Sequence, residues 1–237
     1  MSINKHAWTA DGPHITSPES MVEAIRRAGI IPFFENPIKG YSIEEMTPPE
    51  YWFDGEEDEL GPWDWKIEAV RSGDIAYGKF LWGGKAAFAT VECYRELVNF
   101  RRSLPKYLPD EAGLRVLAYL DEHGTVSIKE IRQMFGIKKA AADNLVRKMQ
   151  LCTRLVTGDI QRVYRGPDLH YNGWQTSSFC TPEALFETEG ESFGPFHTDA
   201  FKLAVPHSPE ESLKRLTAQI KSAAPGATDS LILKMLA

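Results

Sequence analysis

Cysteine is scarce in this chain of 237 residues, and the three present, Cys93, Cys152 and Cys180, are far apart and odd in number. A disulfide framework and a CxxC metal or redox pair are both excluded, so all three are expected to be reduced thiols. The six histidines are scattered, with no HxxxH or HExxH spacing to put two imidazoles on one helical face. No metal site and no cofactor is therefore expected. Long apolar runs are also missing: nowhere do eighteen apolar residues follow one another, and the first sixteen residues carry no stretch of signal-peptide length. The expectation is a soluble protein of the cytosol without a membrane partner. Hydrophobic residues at 43% and charged residues at 25% fit an ordinary globular chain with a real core.

Positive charge is in deficit overall, with a net charge of −6. This argues against nucleic acid until its distribution is read. Residues 125–166 hold nine cations (Lys129, Arg132, Lys138, Lys139, Arg147, Lys148, Arg154, Arg162, Arg165) against Glu130, Asp143 and Asp159, which makes this stretch +6 and the remainder −12. The chain is electrostatically polarised, and the basic stretch is the kind that meets phosphate.

Punctuation and periodicity divide the chain into an N-terminal, Trp-rich α+β part over residues 1–105, a central module over 110–175 and a C-terminal helical segment over 176–237 packed on the core. Residues 17–28 read as a short amphipathic helix, and Ser42 starts a second brief one between loops. Residues 56–90 mix acids with Trp63, Trp65 and Trp82 and then turn apolar with Gly pairs, which predicts strand or buried irregular chain over some of the stretch. Residues 91–103 return to helical spacing through Val91, Tyr94, Leu97 and Val98. Ser208, Pro209 and Glu211 start a further helix, and a last short one carries Leu231, Ile232 and Leu236.

The centre is the most legible part. Leu114, Leu117, Ala118 and Leu120 predict one helical face closed by Gly124. Ser127 caps a second helix with Ile128, Ile131 and Phe135 inward, and Gly136 turns into a third with Leu145, Val146 and Met149 for packing. The run RLVTGDIQRVYRG predicts two short strands around a Gly158-Asp159 turn. Helix, helix, helix, hairpin is the winged-helix order, so the fold class is mainly α with small β elements (α+β). Such a module binds duplex DNA by laying its third helix in the major groove. The candidate DNA-binding residues are Lys138, Lys139, Asn144, Arg147 and Lys148 on that helix, with Arg154, Arg162 and Arg165 on the wing. Asn and Arg suit base edges, and Lys suits phosphates.

The runs KFLWGGKAAFATVECYRELVNFRRS and LRVLAYLDEHGTVSIKEIRQMFGIKKAAADNLVRKMQLCTRLVTGDIQRVYRGPDLHYNGW resemble the middle of the AlkZ/YcaQ-type DNA glycosylases. The stretch GPWDWKIEAVRSGDIAYGKF is similar to shorter bacterial proteins described as AlkZ-related. The resemblance covers about residues 79–174 and implies tandem winged-helix units and a place in DNA repair. In that family an aromatic-Trp pair, a small residue and His-Glu-Ala stand where Leu81, Trp82, Gly83, Gly84, Lys85, Ala86 and Ala87 stand here, and Arg101 and Arg102 match the basic end of the following helix. The family's His-Glu pair is thus Gly84-Lys85, and its Gln-x-Gln or Gln-x-Asp motif is absent from the first ninety residues. The scaffold carries over and the catalytic motif does not.

Excision of a base by other means would need a carboxylate or amide to activate water and stabilise an oxocarbenium-like sugar, and aromatic faces to hold the base. Asp64 or Glu68 could serve as that carboxylate, with Trp63, Trp65 or Trp82 stacking. Against this, tryptophans bury large apolar area and readily pin an acidic loop to the core, and the acidic residues 54–59 would repel a DNA backbone. The simpler role is favoured. Gly83-Gly84-Lys85 lacks the rest of a phosphate loop, since residue 86 is Ala and residue 79 is Lys. Lys85 could instead be an amine nucleophile forming a Schiff base with an abasic sugar.

Three functions follow. The first is a DNA-binding winged-helix protein on a glycosylase scaffold. The second is an active DNA glycosylase for alkylated or bulky bases, and the third is a winged-helix module for protein contact alone. The absent Gln motif favours the first over the second, and the local charge favours it over the third.

Overall fold

The Ser17 hydroxyl accepts from the Ser20 N–H at 3.2 Å while the Ser20 hydroxyl accepts from the Ser17 N–H at 2.9 Å, and this reciprocal cap starts helix α1 (Pro18–Ala28). The computed structural model describes residues 14–52, 61–187 and 202–236. After α1 come β1 (Ile30–Pro32), α2 (Ile43–Met46), α3 (Pro62–Arg71), β2 (Ile75–Leu81), β3 (Lys85–Thr90) and α4 (Val91–Arg102). The centre holds α5 (Glu111–His123), β4 (Val126–Ser127), α6 (Ile128–Phe135), α7 (Lys139–Leu151), β5 (Val156–Arg165) and β6 (His170–Cys180). Helices α8 (Pro182–Phe186), α9 (Pro209–Ala223) and α10 (Asp229–Leu236) close the chain.

The architecture is mixed α+β with two small antiparallel sheets, β1-β3-β2 and β4-β6-β5. One topology occurs twice. In each half a helix precedes a short strand, two helices follow, and a hairpin returns so that its second strand inserts between the other two. Ile30 pairs with Ala89 and Gly78 with Ala87 in the first sheet, and Val126 pairs with Phe179 and Val156 with Cys180 in the second.

Two main cores result. Ile25, Ile30, Phe33, Phe80, Phe88, Tyr94 and Leu97 belong to the first, which also takes Leu216 and Ile220 of α9 and Ile232, Met235 and Leu236 of α10. Val116, Leu120, Ile131, Leu145, Val146, Met149 and Phe179 form the second. Strand β6 runs past residue 175 to Cys180, whose side chain joins the first core. Arg101 of α4 is wholly buried, donating to the Leu236 carbonyl through Nε at 3.1 Å and Nη2 at 2.6 Å and to the Leu151 carbonyl through Nη1 at 3.0 Å. It thereby meets the partial negative charge at the ends of both α10 and α7.

Several expectations are corrected. Gly158-Asp159 is a bulge within β5, where Gly158 lies against Cys180 Sγ, and the hairpin turns instead after Arg165 through Gly166 and Leu169, both at positive φ. On α5 Leu120 is buried and Leu117 packs on the second core as predicted, but Gly113 and Val116 complete the buried face, while Ala118 is exposed and Leu114 is 55% exposed. Residues 62–71 form a helix where strand or irregular chain was expected: Gly61 takes φ 52°, Pro62 occupies the first turn, and Asp64 sits near the positive N-terminus. The acidic residues 54–59 lie outside the described residues. No helix among those described is long and apolar enough to cross a membrane.

Candidate nucleic-acid interface and cleft

The third helices of the two repeats, α3 and α7, share the walls of a cleft of about 370 Å³. Helix α3 contributes Trp63 and Lys66, β2 contributes Tyr77, Gly78 and Lys79, α6 adds Lys129, and α7 adds Lys139, Asp143, Val146 and Gln150. Its volume lies in the small-molecule range of roughly 300–1,000 Å³. Gln150 fixes the wall by accepting from the Lys79 N–H at 2.9 Å, and Gly78 leaves the room it needs, since a Cβ there would stand 2.9 Å from Gln150 Nε2. Lys79, Lys129 and Lys139 are exposed around the opening, and none forms an ion pair among the described residues.

Helix α3 is buried almost all round, because Ile67 and Val70 pack on Ile160 of β5 and Arg71 donates to Asp159 at 2.9 Å. Helix α7 differs. Ala142, Leu145, Val146 and Met149 face the second core, Gln150 faces β2, and Ala141, Asn144 and Lys148 face solvent along one stripe. Lys138 and Lys139 stand exposed at its N-terminus, where backbone N–H groups and the helix dipole favour an anion. Arg147 is half-buried, donates to Asn144 Oδ1 at 2.7 Å and passes over Gly84.

The hairpin residues separate. Arg165 is exposed near the turn, its guanidinium 5.3 Å from the Trp174 ring centroid, and Trp174 is 54% exposed. Arg162 reaches inward instead, donating to Asp64 at 3.2 Å. Arg154 precedes β5 at the end away from the turn, so it is not a wing residue; it is half-buried beside Arg102 and Glu183.

The candidate catalytic residues do not converge. Asp64 is buried and accepts from Arg162 Nε, from the Tyr171 hydroxyl at 2.6 Å and from Gln175 Nε2 at 2.9 Å. Three donors leave it a joint between α3 and the second hairpin. Gln175 also donates to the Trp63 carbonyl at 3.2 Å, which fixes the amide orientation and leaves its buried Oε1 without a donor among the described residues. Glu68 is exposed and, with Asp64, Arg71 and Arg162, borders a separate groove of about 420 Å³. Lys85 lines neither space; its ammonium donates to the Glu35 carbonyl at 3.2 Å and lies 4.4 Å from the Trp82 ring centroid. The tryptophans also part: Trp65 is buried in the first core, Trp82 packs at its edge, and Trp63 alone reaches the cleft.

Sequence reasoning missed Lys66. It follows Trp63 by one helical turn, which sets Nζ 3.3 Å from the indole centroid, and the residue is only 4% exposed. No hydrogen-bond acceptor reaches Nζ among the described residues, and burial pushes its pKa down to about 7 against the pull of Asp64. The cysteines are free, as expected, and burial pushes the Cys93 thiol up to about 11 and that of Cys180 up to about 12, which makes both inert at neutral pH.

No curated protein and no solved structure matches the chain. The sequence model of the family described as AlkZ related matches residues 15–237, nearly its whole length, and the chain belongs to that family.

Proposed function

We propose that the protein binds duplex DNA through the second of two winged-helix units on a DNA-glycosylase-like scaffold, in a DNA-repair setting. Membership of the AlkZ-related family supports the scaffold, and the repeated helix-strand-helix-helix-hairpin order supports reading each half as a winged helix. The observation that carries the reading is the exposed stripe on α7: Ala141, Asn144 and Lys148 face solvent behind Lys138 and Lys139, with Lys148 in a long surface ion pair to Asp110 at 3.8 Å. The third helix of the first unit, α3, is buried and has no such stripe. In this reading Asn144 meets a base edge in the major groove, the lysines meet phosphates, and Arg165 with Trp174 follows the backbone beside the groove.

Base excision through Asp64 is disfavoured, because Arg162, Tyr171 and Gln175 already donate to its carboxylate. The test is binding of the purified protein to a fluorescent duplex, beside Lys138→Glu/Lys148→Glu and Asn144→Asp variants. Affinity should fall about tenfold or more for the double charge reversal, and an unchanged affinity overturns the reading.

A further inference from the structure

We propose that Lys66 is an amine nucleophile that forms an imine with a phosphorylated sugar in its aldehyde form, the sugar of an abasic DNA strand held in the cleft. This rests on the reading that the protein binds DNA and names the substrate class for the cleft, whose α7 wall of Lys139, Asp143, Val146 and Gln150 lies on the opposite side of that helix from Ala141, Asn144 and Lys148.

Geometry carries the assignment. Lys66 lines a cleft of about 370 Å³ from a rigid helix, its Nζ is set against the Trp63 ring at 3.3 Å, and no carboxylate of the described residues takes it as an ion pair. Lys66 is only 4% exposed and has no carboxylate ion-pair partner among the described residues, an environment in which an apolar side chain of similar length would be at least as stable. Lys79, Lys129 and Lys139 line the same space and remain exposed, which supplies phosphate contacts on either side of a sugar. Burial supports the chemistry, since an amine pushed down to about 7 holds a large uncharged fraction at neutral pH.

The step balances without a redox partner. The Nζ lone pair forms the N–C bond to the aldehyde carbon as the carbonyl oxygen takes up a proton. Nitrogen then releases its protons as the C=N bond forms, and the oxygen leaves as water.

The experiment treats the full-length protein with sodium cyanoborohydride and either a duplex bearing one abasic site or free 2-deoxyribose 5-phosphate, with an intact duplex as blank. Peptide mass mapping then locates the reduced adduct. The expected result is an adduct on Lys66 with the abasic duplex, lost about tenfold or more in Lys66→Met, whose folding is checked by circular dichroism. An adduct on Lys66 with the free sugar but not the duplex supports the imine site and contradicts the DNA-binding reading. Binding to duplex without any Lys66 adduct overturns the imine site and leaves DNA binding standing. A folded Lys66→Met variant that is trapped as fast as the parent, or an adduct mapped to another lysine, also overturns it.

Discussion

The Lys66 ammonium stands 3.3 Å from the centroid of the Trp63 ring, one turn back on the same helix. A desolvated cation–π contact of this kind contributes about 2 kcal/mol, less than full burial of an ammonium costs. The folded state therefore carries a standing penalty at Lys66, and that penalty depends on pH.

Its sign follows from the two pKa values. The amine titrates near 7 in the folded chain and near 10.5 when unfolded, so between those values the unfolded state holds a proton that the folded state has released. Stability from this site rises with pH across the window, and the cost is complete below pH 7. The titratable groups lining the same cleft are Tyr77, Lys79, Lys129, Lys139 and Asp143, with Asp64 on α3 itself. Lys66→Met should be more stable than the parent by up to about 4 kcal/mol near pH 6, converging with it near pH 10. Guanidinium unfolding at pH 6, 8 and 10 checks this.

Asp64→Ala removes a buried acceptor and leaves the Arg162 Nε and the Tyr171 hydroxyl without it, while Gln175 keeps the Trp63 carbonyl. The expected cost is about 3 kcal/mol in chemical denaturation, and Tyr171→Phe alone should cost about 1 kcal/mol. A double-mutant cycle between the two should show clear coupling.

Arg101→Met should destabilise by about 3 kcal/mol, because three bonds to the ends of α7 and α10 are lost and two carbonyls remain buried. Amide exchange should rise first in residues 229–236. Equal loss of protection throughout the protein would contradict this local role.

Gly83 and Gly84 offer a matched pair. Both have positive φ, at 64° and 69°, but a Cβ at Gly83 meets open space while one at Gly84 stands 2.7 Å from Arg147 Cδ. Gly83→Ala should cost about 1 kcal/mol from backbone strain alone. Gly84→Ala should cost more and displace Arg147 from Asn144, which an unfolding series on the two variants separates.

Helices with strong caps and clean periodicity were legible: Ser17, Ser127 and Ser208 mark the starts of α1, α6 and α9, and the apolar spacing of α4 and α7 places their buried faces. What stayed hidden was set by contacts distant in sequence. Strand β1 is three residues ending in Pro32, too short for a period, and exists because β3 lies beside it. Helix α3 buries nearly every side because β5 covers the face that a surface helix would expose, so its pattern is not amphipathic. The basic α7 candidates were readable from charge, whereas the inward turn of Arg162 depends on Asp64, ninety-eight residues earlier. Lys66 carries a local signal, an aromatic one turn before a lysine, but its burial comes from the second unit closing over it.

The most direct test of DNA binding through α7 is the salt dependence of duplex affinity for the parent and for Lys139→Met. The account predicts a steep linear fall of log K with log salt in the parent, a slope shallower by about 1 in the variant, and similar losses on unrelated sequences, as expected for one released phosphate contact. Absence of binding at low salt, or a variant with the parent's affinity and slope, would contradict it.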